Sequence, residues 1–206
     1  MILRIAAAVA LIAGFGALAA YLQMMGRLPT SSAAEKHLRR MKDRVAQPAA
    51  AAPTSYDAIA ALPKSRPLPE YAPLERAAVS LEGYVQSVVR ASDDDLHLEI
   101  VPVPRMPGEP RAPYVTGEIT PQWRRGSANW NYARLVEAFR PILGGVTPWP
   151  KGTRRVRVTG WLLYDSDYES KPAVYGPQRL SSWELHPVTR IELWSDSLRG
   201  FVEYPR

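Results

Sequence analysis

The chain has 206 residues and a mass of 22.9 kDa, room for one ordinary domain with appendages. It contains no cysteine, which excludes a disulfide scaffold, a thiolate metal site and a cysteine nucleophile, and its three histidines, His37, His97 and His186, are too few for a histidine-rich metal centre. The formal charge of +6 lies almost wholly in residues 1–80, with ten Lys/Arg against five Asp/Glu; residues 81–206 carry sixteen against fifteen, so the pI of 9.7 is no evidence for a phosphate-binding domain.

Residues 5–26 are uncharged and bracketed by Arg4 and Arg27. As a helix at about 1.5 Å per residue they reach roughly 33 Å, enough for a bilayer. Many are alanine, and Ile5, Val9, Leu11, Ile12, Phe15, Leu18, Tyr21 and Leu22 carry most of the apolar character. Residues 1–27 are therefore expected to form a transmembrane anchor or a signal segment, Ala17-Leu18-Ala19 having the small-x-small form of a signal-peptidase site. Orientation has two readings. The positive-inside rule, applied to Arg27, Lys36, Arg39, Arg40, Lys42 and Arg44, keeps the following domain in the cytoplasm. A short N-terminus before a first apolar segment exports it.

Residues 28–78 read as a basic juxtamembrane helix and a Pro/Ala-rich linker. Ser32 and Glu35 have capping-box spacing, and Leu38, Met41 and Val45 share a face, predicting a helix over 32–46. Its cations suit either anionic headgroups or solvent. The alanine run 49–52 with Pro48, Pro53, Pro63, Pro67, Pro69 and Pro73 predicts an extended spacer, interrupted by a helical turn or two within 54–62.

Residues 79–206 change character. Strands are expected at 79–91, 96–103, 114–120, 155–164 and 182–194, with one helix at 129–140 placing Tyr132, Leu135, Val136 and Phe139 on one face before Pro141 stops it. The fold class is mainly β (α+β), and the order β-β-β-α-β-β predicts a five-stranded OB-fold-like barrel. Closure removes the edge strands that an open five-stranded sheet would expose.

Three segments add a resemblance: Asp93-Asp94-Asp95-Leu96-His97-Leu98, residues 156–164, and Trp183-Glu184-Leu185-His186-Pro187-Val188-Thr189-Arg190-Ile191-Glu192. Together they resemble a group of uncharacterised bacterial exported or membrane-tethered OB-like β-barrel proteins, with an acidic turn running into a His-Leu strand and a closing Glu-Leu/Ile-His-Pro-Val strand. The resemblance spans roughly residues 80–195. It implies a barrel outside the cytoplasm and carries over no activity.

Strand parity yields one constellation. With Leu96, Leu98, Ile100, Val115, Gly117, Ile119, Trp183, Leu185 and Ile191 inside, His97, Glu99, Thr116, Glu118, Glu184 and His186 point outward and share an outer surface. Two histidines and a carboxylate suffice for an open zinc or iron site, so His97, Glu118, Glu184 and His186 are the catalytic candidates. The competing reading is a set of structural hydrogen-bonded pairs. Asp93–Asp95, and Asp165 with Asp167 and Glu169, offer oxygen ligands of the calcium type but read by default as solvated turns. Trp123 beside Arg124 and Arg125 could stack a base or sugar, so these three, with Asp165 and Asp167, are the ligand-binding candidates. Trp161 and Trp183 fall on inward parity.

No nucleophile elbow, phosphate-binding glycine loop or H-E-x-x-H motif is present. The reading favours a non-enzymatic binding or assembly module with no cofactor and no resident metal. It is expected at the bacterial inner membrane, single-pass, with the domain periplasmic, presenting loops 102–113 and 165–181 to a protein partner. The alternatives are a metal-assisted hydrolase acting on phosphodiesters and single-strand nucleic-acid binding, the latter disfavoured by the charge balance.

Overall fold

The computed structural model describes residues 32–105, 109–139, 153–170 and 178–206. The expected anchor at residues 1–27 lies outside them. Among the described residues no helix is long and apolar enough to cross a membrane.

Among the described residues seven strands form one sheet: β1 (Ala52–Thr54), β2 (Ala78–Arg90), β3 (Leu96–Val101), β4 (Val115–Ile119), β5 (Arg155–Tyr164), β6 (Trp183–Ser195) and β7 (Gly200–Glu203). The chain is mainly β. β2, β3, β4, β6 and β5 pair in that order, and β5 returns to β2, closing a five-stranded mixed barrel. β4 and β6 make the parallel contact, with Gly117 beside Leu185, and the remaining barrel pairs are antiparallel. β1 and β7 are additions outside the barrel: β1 runs parallel to β2, and β7 forms a hairpin with β6.

The expected barrel strands are all present, within two residues at each end. Leu96, Leu98, Val158 and Leu185 are fully buried in one core cluster with Leu81, Ile100, Ile119 and Ile191. In β6 both Leu185 and Ile191 face inward although the pairing with β5 slips twice between them. Leu162 opposes Leu185, Gly160 opposes Val188, Thr159 opposes Arg190 and Val158 opposes Ile191. β6 thus gains two residues over β5, an even number, so side-chain parity is restored. Gly160 permits the slip, since a Cβ there would lie 2.8 Å from the Pro187 carbonyl oxygen.

Among the described residues the α-helices are α1 (Ala33–Lys42), α2 (Tyr56–Ala60), α3 (Ala72–Glu75), α4 (Pro121–Arg124), α5 (Tyr132–Phe139) and α6 (Ser166–Ser170). α1 is shorter than expected and stops before Val45, which is exposed. Its start is as expected: the Ser32 hydroxyl accepts from the Glu35 amide at 3.2 Å and donates to the Glu35 carboxylate at 2.8 Å. Residues 38–206 form one compact unit. α5 buries Leu135 and Phe139, while Tyr132, expected on the same face, is exposed.

The proline-rich stretch, together with residues 43–46 that lead into it from α1, differs from its expectation as a free spacer: it straps the barrel. Ile59 and Tyr71 are buried in the core, and the Tyr71 ring stacks on Tyr164 at 4.0 Å. Three indole N–H groups hold the strap by its carbonyls, Trp123 to Arg44 at 2.9 Å, Trp161 to Ala46 at 2.9 Å and Trp183 to Pro63 at 2.7 Å. Proline lacks a donor but keeps its carbonyl, so such a segment docks well onto donor side chains. This corrects the inward placement of Trp161, which lies on the outside of the barrel, half-buried under the Arg44 guanidinium.

A buried histidine and carboxylate cluster as the candidate functional site

The β3–β4 ladder sets His97 opposite Glu118 and Glu99 opposite Thr116. The parallel contact of Gly117 with Leu185 then brings Glu118 alongside Glu184 and His186 of β6. The four catalytic candidates therefore meet. His186 Nδ1 lies 2.9 Å from Glu118 Oε2 and 3.1 Å from Glu184 Oε1, and His97 Nε2 lies 3.2 Å from Glu118 Oε1. Asp95, which closes the turn before β3, completes the group with Oδ2 3.7 Å from His186 Nε2.

The patch faces outward by parity, as expected, yet it is not an open surface. The His186 and Glu184 side chains have no exposure and Glu118 has 2 %, leaving His97, at 30 %, on the rim. Two cations cover it. Arg179 reaches in from a segment bound to the start of β4, where the Tyr114 amide donates to the Gln178 carbonyl and the Leu180 amide to the Tyr114 carbonyl. Its guanidinium donates to Asp165 Oδ2 at 3.0 Å and Glu184 Oε2 at 2.5 Å and lies 4.2 Å from the Tyr168 ring centroid. Lys42 Nζ lies 3.8 Å from Glu118 Oε2 and 3.7 Å from Asp93.

Burial opposes charge on each of these groups, and their neighbours decide the outcome. Burial drives the Asp95 carboxyl up to about 7 despite the nearby His186. Glu184 is also raised, by burial and by the Glu118 charge. Burial works against charge on Glu118 too, but the His186 imidazole, His97 and Lys42 hold its carboxyl well below the usual range. For His186, Glu118 and Glu184 outweigh desolvation and raise the imidazole to about 9. Lys42 and Arg179 are raised in the same way, against desolvation, Lys42 foremost by Glu118 and Arg179 foremost by Glu184.

The ligand-binding candidates do not form a site. Trp123 is 5 % exposed, bonded to the strap and covered by Arg206 at 5.1 Å, so it offers no face for a base or sugar. Arg124 is engaged with the Asp94 carbonyl and carboxylate, and Arg125 points to solvent. Asp165 and Asp95, read as parts of solvated turns, are both buried. Asp165 caps α6 through the Asp167 and Tyr168 amides and pairs with Arg179, while Asp167 is exposed. Residues 106–108 and 171–177 of the two expected binding loops lie outside the described residues.

Sequence reasoning missed three members of the cluster. Asp95 carried a signal, since it precedes the His97 strand by parity, but its turn composition masked it. Lys42 and Arg179 arrive from elements remote in sequence and carried none.

A second feature is a groove of about 740 Å³ between residues 47–56 of the strap and the barrel wall of β2, β5 and β6. Its charged lining is internally paired: Arg157 with Glu82 at 2.8 Å and Glu192 at 3.6 Å, and Arg190 with Glu192 at 3.3 Å. Tyr56 lines it too, but its hydroxyl is sealed beneath, over Gly83, without a hydrogen-bond partner among the described residues. Comparison with known proteins finds no matching family model and no matching curated protein.

Proposed function

We propose that this chain is a non-enzymatic binding module built on an OB-type barrel, tethered at a bacterial inner membrane by residues 1–27 with the barrel on the periplasmic side. Its ligand is an extended peptide segment of a partner protein, taken in the groove between the strap and β2, β5 and β6. The barrel order β2-β3-β4-β6-β5 with its parallel β4–β6 contact, and the helix α5 between the third and fourth barrel strands, support the OB assignment. The tether rests on the apolar run 5–26 and the side of the membrane on the resemblance.

The groove is the observation that carries the reading. Its volume falls in the range of ligand sites, and it combines an alanine and proline wall with paired charges of both signs. A mixed, self-paired lining suits a peptide, which offers both signs and backbone amides. It does not suit a polyphosphate chain, which needs cations free to replace counterions. The test is photo-crosslinking in cells, with a benzophenone amino acid at Ala50 of the full chain. We expect an adduct to a protein, weakened by Arg190→Glu and absent with the probe at Leu198. No adduct from any groove position, or an adduct to nucleic acid, would refute it.

Metal-assisted phosphodiester hydrolysis remains a second reading because His97, Glu118, Glu184 and His186 converge. The enclosure of Glu184 and His186 works against it, since an acid or base must come within hydrogen-bond reach of its substrate.

A further inference from the structure

We infer that the barrel holds one divalent transition-metal ion between Asp95, Glu118 and His186, as a structural centre. One ligand atom from each of these side chains lies within 4.8 Å of the other two. The three are 6 %, 2 % and 0 % exposed, respectively. They come from the turn before β3, from β4 and from β6, so an ion between them would tie together three neighbouring segments of the barrel wall.

The second observation is an orphaned nitrogen. His186 Nε2 is sealed from solvent, has no hydrogen-bond partner among the described residues, and faces Asp95 Oδ2 at 3.7 Å, too far for a hydrogen bond. A buried donor or acceptor left in that state costs stability. An ion with bonds of about 2.0–2.2 Å to imidazole nitrogen and carboxylate oxygen spans a gap of this length at an open angle. Glu118 Oε2 is likewise sealed without an aligned donor; it lies 2.9 Å from His186 Nδ1, so this carboxylate must turn away from that nitrogen to join an ion at Nε2.

The surroundings are those of a ligating histidine. Nδ1, the other ring nitrogen, lies 3.1 Å from Glu184 Oε1, and Glu184 is fixed by Arg179, itself held by Asp165. A carboxylate accepting from Nδ1–H keeps that proton in place, so Nε2 is the nitrogen that would give up its proton to take a metal. A set of one imidazole and two carboxylates favours Zn²⁺, Fe²⁺ or Mn²⁺ over softer ions. The inference is independent of the groove and departs from the sequence reading, which assigned no metal.

The experiment uses the full chain in detergent micelles, stripped with a chelator and titrated with Co²⁺ as the probe. We expect one equivalent bound, with visible ligand-field bands and a raised melting temperature. Asp95→Asn and Glu118→Gln keep the side-chain shapes and are expected to weaken Co²⁺ at least tenfold. Near-ultraviolet circular dichroism reports whether each protein is packed. A packed wild-type chain that takes up no Co²⁺ overturns the inference, as does uptake at unchanged affinity in both variants. Wild-type binding with ligand-field bands supports it even if a variant fails to fold, because Trp194→Phe, remote from the site, must then bind as the wild type does.

Discussion

The two faces of the β3–β4–β6 wall are both buried, and they are buried by different means. Inside, Leu98, Ile100, Val115 and Leu185 fill the barrel with hydrocarbon, where contact is non-directional and roughly proportional to area. Outside, His97, Glu118, Glu184 and His186 lie under Arg179 and Lys42, where each group depends on named partners. One alternating sequence thus builds an apolar core and a charged one back to back. The lesson is that parity assigns a side chain to a face without saying whether that face meets water.

The sharpest way to break this comparison is to remove one partner on each side. Arg179→Ala strips Asp165 and Glu184 of their shared cation in a sealed site, and a buried pair broken in this way costs about 3–5 kcal/mol. Leu98→Ala on the inner face empties a fully buried position and costs about 2–5 kcal/mol. Both are read by urea unfolding followed by circular dichroism. If Arg179→Ala changes the midpoint by less than a surface substitution does, the outer cluster is not a second core. A smaller effect is expected at Gly160→Ala, where the added methyl meets the Pro187 carbonyl and the Leu185 Cβ; overpacking of this kind costs about 1–3 kcal/mol. That variant tests whether the double slip of β6 is what keeps both faces in register.

Much of the inner face was legible. Strand β5 was read with both ends correct because Val156 and Val158 alternate with Arg155 and Arg157 between a glycine-containing loop and Asp165. The slip at Pro187 did not spoil the inward placement of Ile191, because two extra residues cancel. The outer cluster was legible as a set of residues but not as a buried one. Its cover comes from Arg179, inside a polar loop, and from Lys42, in a helix read as lying beside a membrane, and no local pattern links either to β4. The strap was misread for a compositional reason. Proline density describes a segment that cannot join a sheet interior, and β1, with Pro53, does sit outside the closed barrel. The missed clue was the tryptophans. Six indoles exceed what a barrel this small can bury unaided, and three of them donate to strap carbonyls.

The smallest expected effect sharpens the contrast between the sealed cluster and the open groove. Glu82, on the groove wall, accepts from Arg157 and Arg155, but its side chain is 38 % exposed, whereas Glu184 is sealed. Modest burial disfavours the Glu82 carboxylate, yet hydrogen bonds from Arg157 and Arg155 hold it below its usual 4.5. A depressed folded-state value means that the charged form is favoured by folding. Its contribution is complete above about pH 4.5 and disappears as the pH falls through the lowered folded value. Solvent screens such a pair, so the contribution is under about 1 kcal/mol. Glu82→Gln should therefore be slightly less stable than the wild type at pH 7 and equal to it near pH 2, and the gap should shrink in high salt. An equal gap at both pH values would mean that Glu82 acts through packing, and that the groove wall, like the inner face of the barrel, is held by shape and not by charge.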